Sequence, residues 1–147
     1  MTRDTTLRAL TRGVLAGVAG TATMTAAQTA YYKAMDVEPS DTPAEVGKRV
    51  IRGVLQREVS EEQTGTLNNA MHWLYGTGWG VLYGLAARKP TAGIVFGGVV
   101  WGASLVELPA MQLSPPVWEL PPSSIAPDLG FHLVYGVAVA AAHRALS

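Results

Sequence analysis

The chain of 147 residues contains no cysteine. Disulfides, thiolate nucleophiles and cysteine-ligated metal sites are thereby excluded, while the compartment stays open. Charge is also scarce: Asp, Glu, Lys and Arg together make up 15% of the chain, against about 25% in ordinary soluble proteins. The net charge is zero, and no basic patch is interleaved with aromatics, so nucleic acid is not an expected partner. The arrangements that carry chemistry are missing as well. There is no Ser-His-Asp set, no His-Glu-x-x-His, no pair of carboxylates, and no glycine loop followed by Lys-Ser/Thr. Neither an enzyme nor a cofactor is expected.

What the chain does have is long stretches without charge. Residues 13–32, 63–87, 90–106 and 129–142 carry none. A helix crossing a bilayer needs about 20 largely apolar residues, and the last stretch suffices only with little tilt or a thinned bilayer. The stretches are built from Gly, Ala and Thr rather than Leu and Ile, so the mean hydropathy is only +0.19. A soluble bundle is the alternative, but its helices would lack a polar outer face. The first stretch has the basic start and small residues of a signal peptide; its scarcity of leucine favours an uncleaved span. The expected fold is all-α, with four transmembrane helices over 12–33, 67–87, 91–111 and 129–146, arranged as two related pairs in a single integral membrane domain.

Arg3, Arg8 and Arg12 precede the first span, Arg88 and Lys89 join the second and third, and Arg144 follows the fourth. Residues 110–128 contain no Lys or Arg. The positive-inside rule then places both termini in the cytoplasm. The loop between the first two spans carries Lys48, Arg49, Arg52 and Arg57 but more acids than bases. Within it, Thr42-Pro43-Ala44-Glu45 reads as an N-cap, a proline at the first helical position and a capping-box glutamate. Val46, Val50, Ile51, Val54 and Leu55 then recur at helical spacing, predicting an amphipathic helix over 43–57 that lies on the membrane or caps the bundle. Residues 110–128 hold five prolines, which predicts an extended outer cover without helix, with Trp118 as an interfacial anchor.

Two sequence echoes suggest a repeat. "GVLAGVAG" at 13–20 aligns with "GIVFGGVV" at 93–100, and "HWLYG" at 72–76 with "HLVYG" at 132–136. A repeated helix pair enters the membrane twice in the same direction, giving a parallel repeat. Gly13, Gly17, Gly76, Gly80, Gly84, Gly93, Gly97, Gly98 and Gly102 stand at spacings of four. Small residues so spaced let helix backbones approach closely inside lipid.

With the termini inside, Gln28, His72, Glu107 and His132 each fall near the outer end of a different span, with Tyr75 and Tyr135 about one turn deeper. Polar groups in a span are functional candidates by default. They can simply tie helices together. They can also form a proton-responsive cluster, with Glu107 beside two imidazoles, or a metal site of His72, His132 and Glu107, whose ligand types suit zinc but whose spacing diagnoses nothing. His143 belongs to the opposite end. Trp73, Trp79 and Trp101 read as packing or belt residues.

The glycine-rich first span, "SDTPAEVGKRV", "HWLYGTGWGVLYG", "WGASLVELP" and "HLVYG" together resemble the YagU-like group (the DUF1440 type) of small bacterial inner-membrane proteins of unknown function. The resemblance implies a multi-span protein of the bacterial cytoplasmic membrane and supplies no catalytic residues. The expected function is non-enzymatic: an outward polar cluster that responds to pH or conducts protons or a small solute. The alternative is an assembly subunit that binds a membrane partner through glycine-rich faces. Expected partners are the lipid bilayer and either a second copy or another membrane protein.

Overall fold

A computed structural model describes residues 3–86 and 92–147, so Arg88 and Lys89 of the charge argument lie outside the described residues. The described chain is all-α. Helix α1 spans Arg3–Met35, α2 Thr42–Leu55, α3 Glu61–Ala86, α4 Gly93–Ala110 and α5 Pro122–Ala145, with a 3₁₀ turn at Val117–Glu119. Two of these, α4 and α5, are long and apolar enough to cross a membrane.

Helix ends follow local chemistry. Asp36 and Gln112 adopt left-handed backbone after α1 and α4. The amide of Val37 then reaches the Tyr32 carbonyl at 3.1 Å, and that of Leu113 reaches Leu108 at 2.9 Å, the bond that closes a helix C-terminus. The start of α2 departs from the capping box. Asp41 is the N-cap, with no side-chain cap bond, and Glu45 pairs with Lys48 at 3.0 Å. Asn68 of α3 caps the helix instead. Its Oδ1 accepts from the Ala44 amide at 2.9 Å, and its Nδ2 donates to the Ser40 carbonyl at 3.2 Å. A tertiary partner thus satisfies an orphan donor that the local motif was expected to serve.

The proline-rich segment also needs correction. Only 111–121 lies outside α-helix, because α5 begins at Pro122 and runs through Pro127. Proline at the first helical position loses nothing, since that amide has no intrahelical acceptor. Pro127 removes only the bond to the Ser123 carbonyl, and the helix continues. Trp118 is 80% exposed.

The backbones approach most closely in α1 with α3, α1 with α5, α4 with α5, and α2 with α3. Glycine makes the first and third pairings tight. A Cβ on Gly13 would lie 2.8 Å from the Gly80 carbonyl oxygen, and one on Gly17 2.8 Å from the Thr77 Cα. One on Gly84 would lie 2.6 Å from the Ala9 carbonyl oxygen, and one on Gly93 2.6 Å from the Val137 Cα. Gly76, Gly80, Gly97 and Gly136 are equally crowded by facing helices. Gly98 and Gly102 are not: nothing stands within 4 Å of where their Cβ would be, so those two expected packing glycines face outward. In sequence Gly13 aligns with Gly93. In space the helices are one turn out of that register, because Gly76 sits between Gly17 and Thr21 while Gly136 sits between Gly93 and Gly97.

Across the bundle α3 and α4 meet through rings rather than backbone. Phe96 packs on Tyr83 at 4.7 Å, on Tyr135 at 6.0 Å and on Trp79 at 6.3 Å between centroids. These side chains join Ala16, Met24, Val100, Phe131, Val139 and Ala140 in the core. The outer surface is apolar, with Leu74, Leu82, Ile94, Val95, Val99 and Val106 all exposed.

On α2 the buried positions are Ala44 and Gly47; Gly47 rests on Leu67 and Met71 of α3. Of the apolar stripe, Val46 and Ile51 are half-buried while Val50, Val54 and Leu55 are exposed. Small residues allow closer approach than valines, so the helix docks by its small face.

Candidate functional site: the polar end of the bundle

One end of the molecule collects the polar residues. The C-terminal part of α1 meets the start of α5 through Tyr31 and Tyr32, whose rings lie 5.4 and 6.0 Å from Phe131. The N-terminal part of α3 and the end of α4 meet there as well. Ten of the eleven acidic residues belong to the segments at this end, 36–62 and 107–128, and Asp4 is the exception. Six of the eleven Lys and Arg residues belong to the other end or to the segment 87–91. On α2 the hydrogen bond from Lys48 to Glu45 holds the lysine pKa above its ordinary value.

Each expected site residue has a definite partner except Gln28, which is half-buried and makes no side-chain hydrogen bond among the described residues. The Thr25 hydroxyl donates to the Thr21 carbonyl at 2.8 Å, a back-bond within α1. Its one proton is therefore committed, and the His72 contact at 3.1 Å must be Nε2–H donating to Thr25. His132 lies 2.8 Å through Nδ1 from the Asp128 carbonyl, which can only accept. That ring is therefore protonated at Nδ1, and Nε2 is left to take a second proton. The Asp128 carboxylate stands 3.5 Å from the same Nδ1 and accepts from Trp101 Nε1 at 3.0 Å.

The tyrosines behave differently from one another. Tyr75 donates to Glu107 Oε2 at 2.8 Å on the exposed side of the bundle. Tyr135, in the core, donates to the Gly76 carbonyl at 2.6 Å. The cluster expected from sequence is therefore resolved into separate pairs. Glu107 is held by a phenol, and the carboxylate beside an imidazole is Asp128. His72, His132 and Glu107 do not converge on a metal position, and no three His, Asp or Glu side chains do so among the described residues.

Sequence reading missed Asp128, Thr25 and Trp101. Asp128 stands four residues before His132, the spacing of helix neighbours. Taking the prolines as the end of helical structure hid that signal. Trp101 is a hydrogen-bond donor linking α4 to α5, so it is more than a packing residue. Compared with known protein families, with characterised proteins and with solved structures, the chain matches none. The YagU-like resemblance therefore rests on the sequence motifs alone.

Proposed function

We propose that this is a four-span, non-enzymatic protein of the bacterial cytoplasmic membrane, with both termini cytoplasmic and an outward polar end that responds to protonation. The membrane part is supported by how little of the apolar surface is internal. Only 17% of α4 is buried inside the protein, whereas a soluble core helix is covered all round. α1 and α3 share the glycine packing of α4 and α5, which is the way helices associate in lipid. The absence of Lys and Arg from residues 110–128 fits the orientation.

The observation that carries the protonation reading is the setting of His132. Its side chain is only 12% exposed and stands beside Asp128 on its own helix, whose carboxylate also holds Trp101 of α4. Imidazole changes charge between about pH 5 and 8. A second proton on His132 would strengthen the pull on Asp128. Gating is better supported than conduction, because the section below is filled by Tyr83, Phe96, Val100 and Val139. The test is thermal unfolding in lipid nanodiscs at about pH 5.5 and 7.5, comparing wild type with His132→Asn. A pH-dependent difference that persists in the variant sinks the reading.

The second reading, an assembly subunit, is favoured by the outward Gly98 and Gly102. Cysteine placed at Gly102 should then cross-link to a protein neighbour in membranes. Labelling by lipid alone counts against it.

A further inference from the structure

We infer that the seam between α3 and α4 binds a lipophilic organic cation, with Glu107 as counter-ion and Tyr75 and Trp79 as its aromatic wall. The inference rests on the reading of α3 and α4 as membrane spans.

Four observations meet at this place. First, α3 and α4 are not among the pairs whose backbones pack closely; rings fill the space between them. Phe96, Val100, Ala103 and Glu107 follow one another at spacings of four, three and four, so they share the face of α4 turned to α3. The lower part of that face is occupied by Phe96 against Tyr83 and Trp79. Higher up, between Val100 and Glu107, that face of α4 carries only Ala103.

Second, Glu107 has a hydrogen bond from Tyr75 but no cationic partner among the described residues. A carboxylate within a span without a counter-charge is costly unless something supplies one. Between Lys89 and Arg144 the chain has no Lys or Arg to do so.

Third, the rings beside it are placed for a cation. Tyr75 and Trp79 stand one helical turn apart, edge to face with centroids 6.1 Å apart, and both are partly accessible. Aromatic faces attract cations, most strongly where water is scarce. The Tyr75 hydroxyl holds one carboxylate oxygen and leaves the other for a ligand.

Fourth, the surrounding end carries most of the acidic residues, and such a field concentrates cations at its mouth. An apolar body in the lipid-facing seam and a positive centre at Glu107 match this division. A proton on Glu107 removes the counter-charge, so proton and organic cation compete for one site.

The test uses the whole protein in nanodiscs of phosphatidylglycerol, which contains no amine, with tetraphenylphosphonium as probe. Saturable binding at about pH 8 should weaken about tenfold or more in Glu107→Gln, the loss of one charged partner. It should weaken severalfold in Trp79→Leu, and it should fall on acidification in wild type. A wild-type measurement adds to this: carbodiimide labelling of Glu107, read by mass spectrometry, should be blocked by the probe, while labelling of Glu119 is not. Repeating the titration with phosphatidylethanolamine distinguishes the source of the cation. Weaker probe binding there assigns the site to a lipid ammonium head, and unchanged binding assigns it to a diffusible cation. Saturable binding that is equal in Glu107→Gln, or no saturable binding, overturns the proposal. If that happens while single cysteines at Ser123 and Ser147 label from opposite sides of the membrane, the site fails and the spans stand.

Discussion

The phenol of Tyr135 donates a 2.6 Å hydrogen bond to the carbonyl oxygen of Gly76, 59 residues earlier in the chain. Both belong to the echoed motif, "HLVYG" and "HWLYG", so the second copy is pinned to the first. The relation is not reciprocal. Tyr75, the counterpart of Tyr135, reaches Glu107 instead. Because Tyr135 is 2% exposed, the lost bond would leave the core without a donor. Tyr135→Phe should cost about 1 kcal/mol in unfolding from detergent or nanodiscs. Tyr75→Phe, on the exposed side, should cost less. Equal costs would mean that burial of the first bond contributes nothing.

The glycines separate into two classes with opposite expectations. A Cβ on Gly80 would come within 2.6 Å of the Gly17 nitrogen and 2.7 Å of the Gly13 carbonyl. Both are backbone atoms, which cannot rotate away. Gly80→Ala should destabilise by about 1–3 kcal/mol, the ordinary cost of overpacking. Gly78 meets nothing within 4 Å, and Gly78→Ala should stabilise by about 0.5–1 kcal/mol through helix propensity. A thermal-melting comparison of the two variants checks the sign of each change.

Asn68 bridges α3 to the start of α2 through two backbone groups. Asn68→Ala should strip both and cost about 1–3 kcal/mol of α2 docking, while leaving the glycine-packed helices in place. Hydrogen exchange reads this directly: the Ala44 amide should exchange faster, with protection in α1 and α5 unchanged. Protection lost across the whole chain would mean that α2 and the bundle form one cooperative unit.

The lack of cysteine makes topology easy to test with single-cysteine variants. Ser123→Cys and Ser147→Cys both sit at exposed positions. The first should react with a membrane-impermeant maleimide added to intact cells, and the second only after permeabilisation. Labelling of both from the same side removes the four-span arrangement.

Much of the helical plan was legible in sequence. Charge-free stretches and the helical spacing of apolar residues mark where the five helices lie, because the 3.6-residue repeat and the cost of burying charge act locally, although α1, α3 and α5 begin several residues before the expected spans. The errors have a common origin. Proline was read as a barrier to helix over 110–128, yet Pro122 loses no bond at a helix start and Pro127 loses only one. That reading hid Asp128, the partner of His132. The capping box at Thr42 failed for a related reason, since a side chain from α3 provides the acceptor. For α2 the sequence left open whether the helix lies on the membrane or caps the bundle; it packs on α3 through Ala44 and Gly47, because small residues allow close approach of backbones.

By itself the sequence determined composition, helix periodicity, the two charged ends and the glycine spacing, all properties of residues and their near neighbours. Tertiary structure alone decided which glycines are covered and which face outward, because that depends on the rotation of each helix about its axis. It also decided that Tyr75 and Tyr135 have different partners. The physical reason is the one-turn offset between α1 and α4. Identical motifs on offset helices meet different surroundings, and hydrogen bonds that act over about 3 Å follow the surroundings rather than the motif.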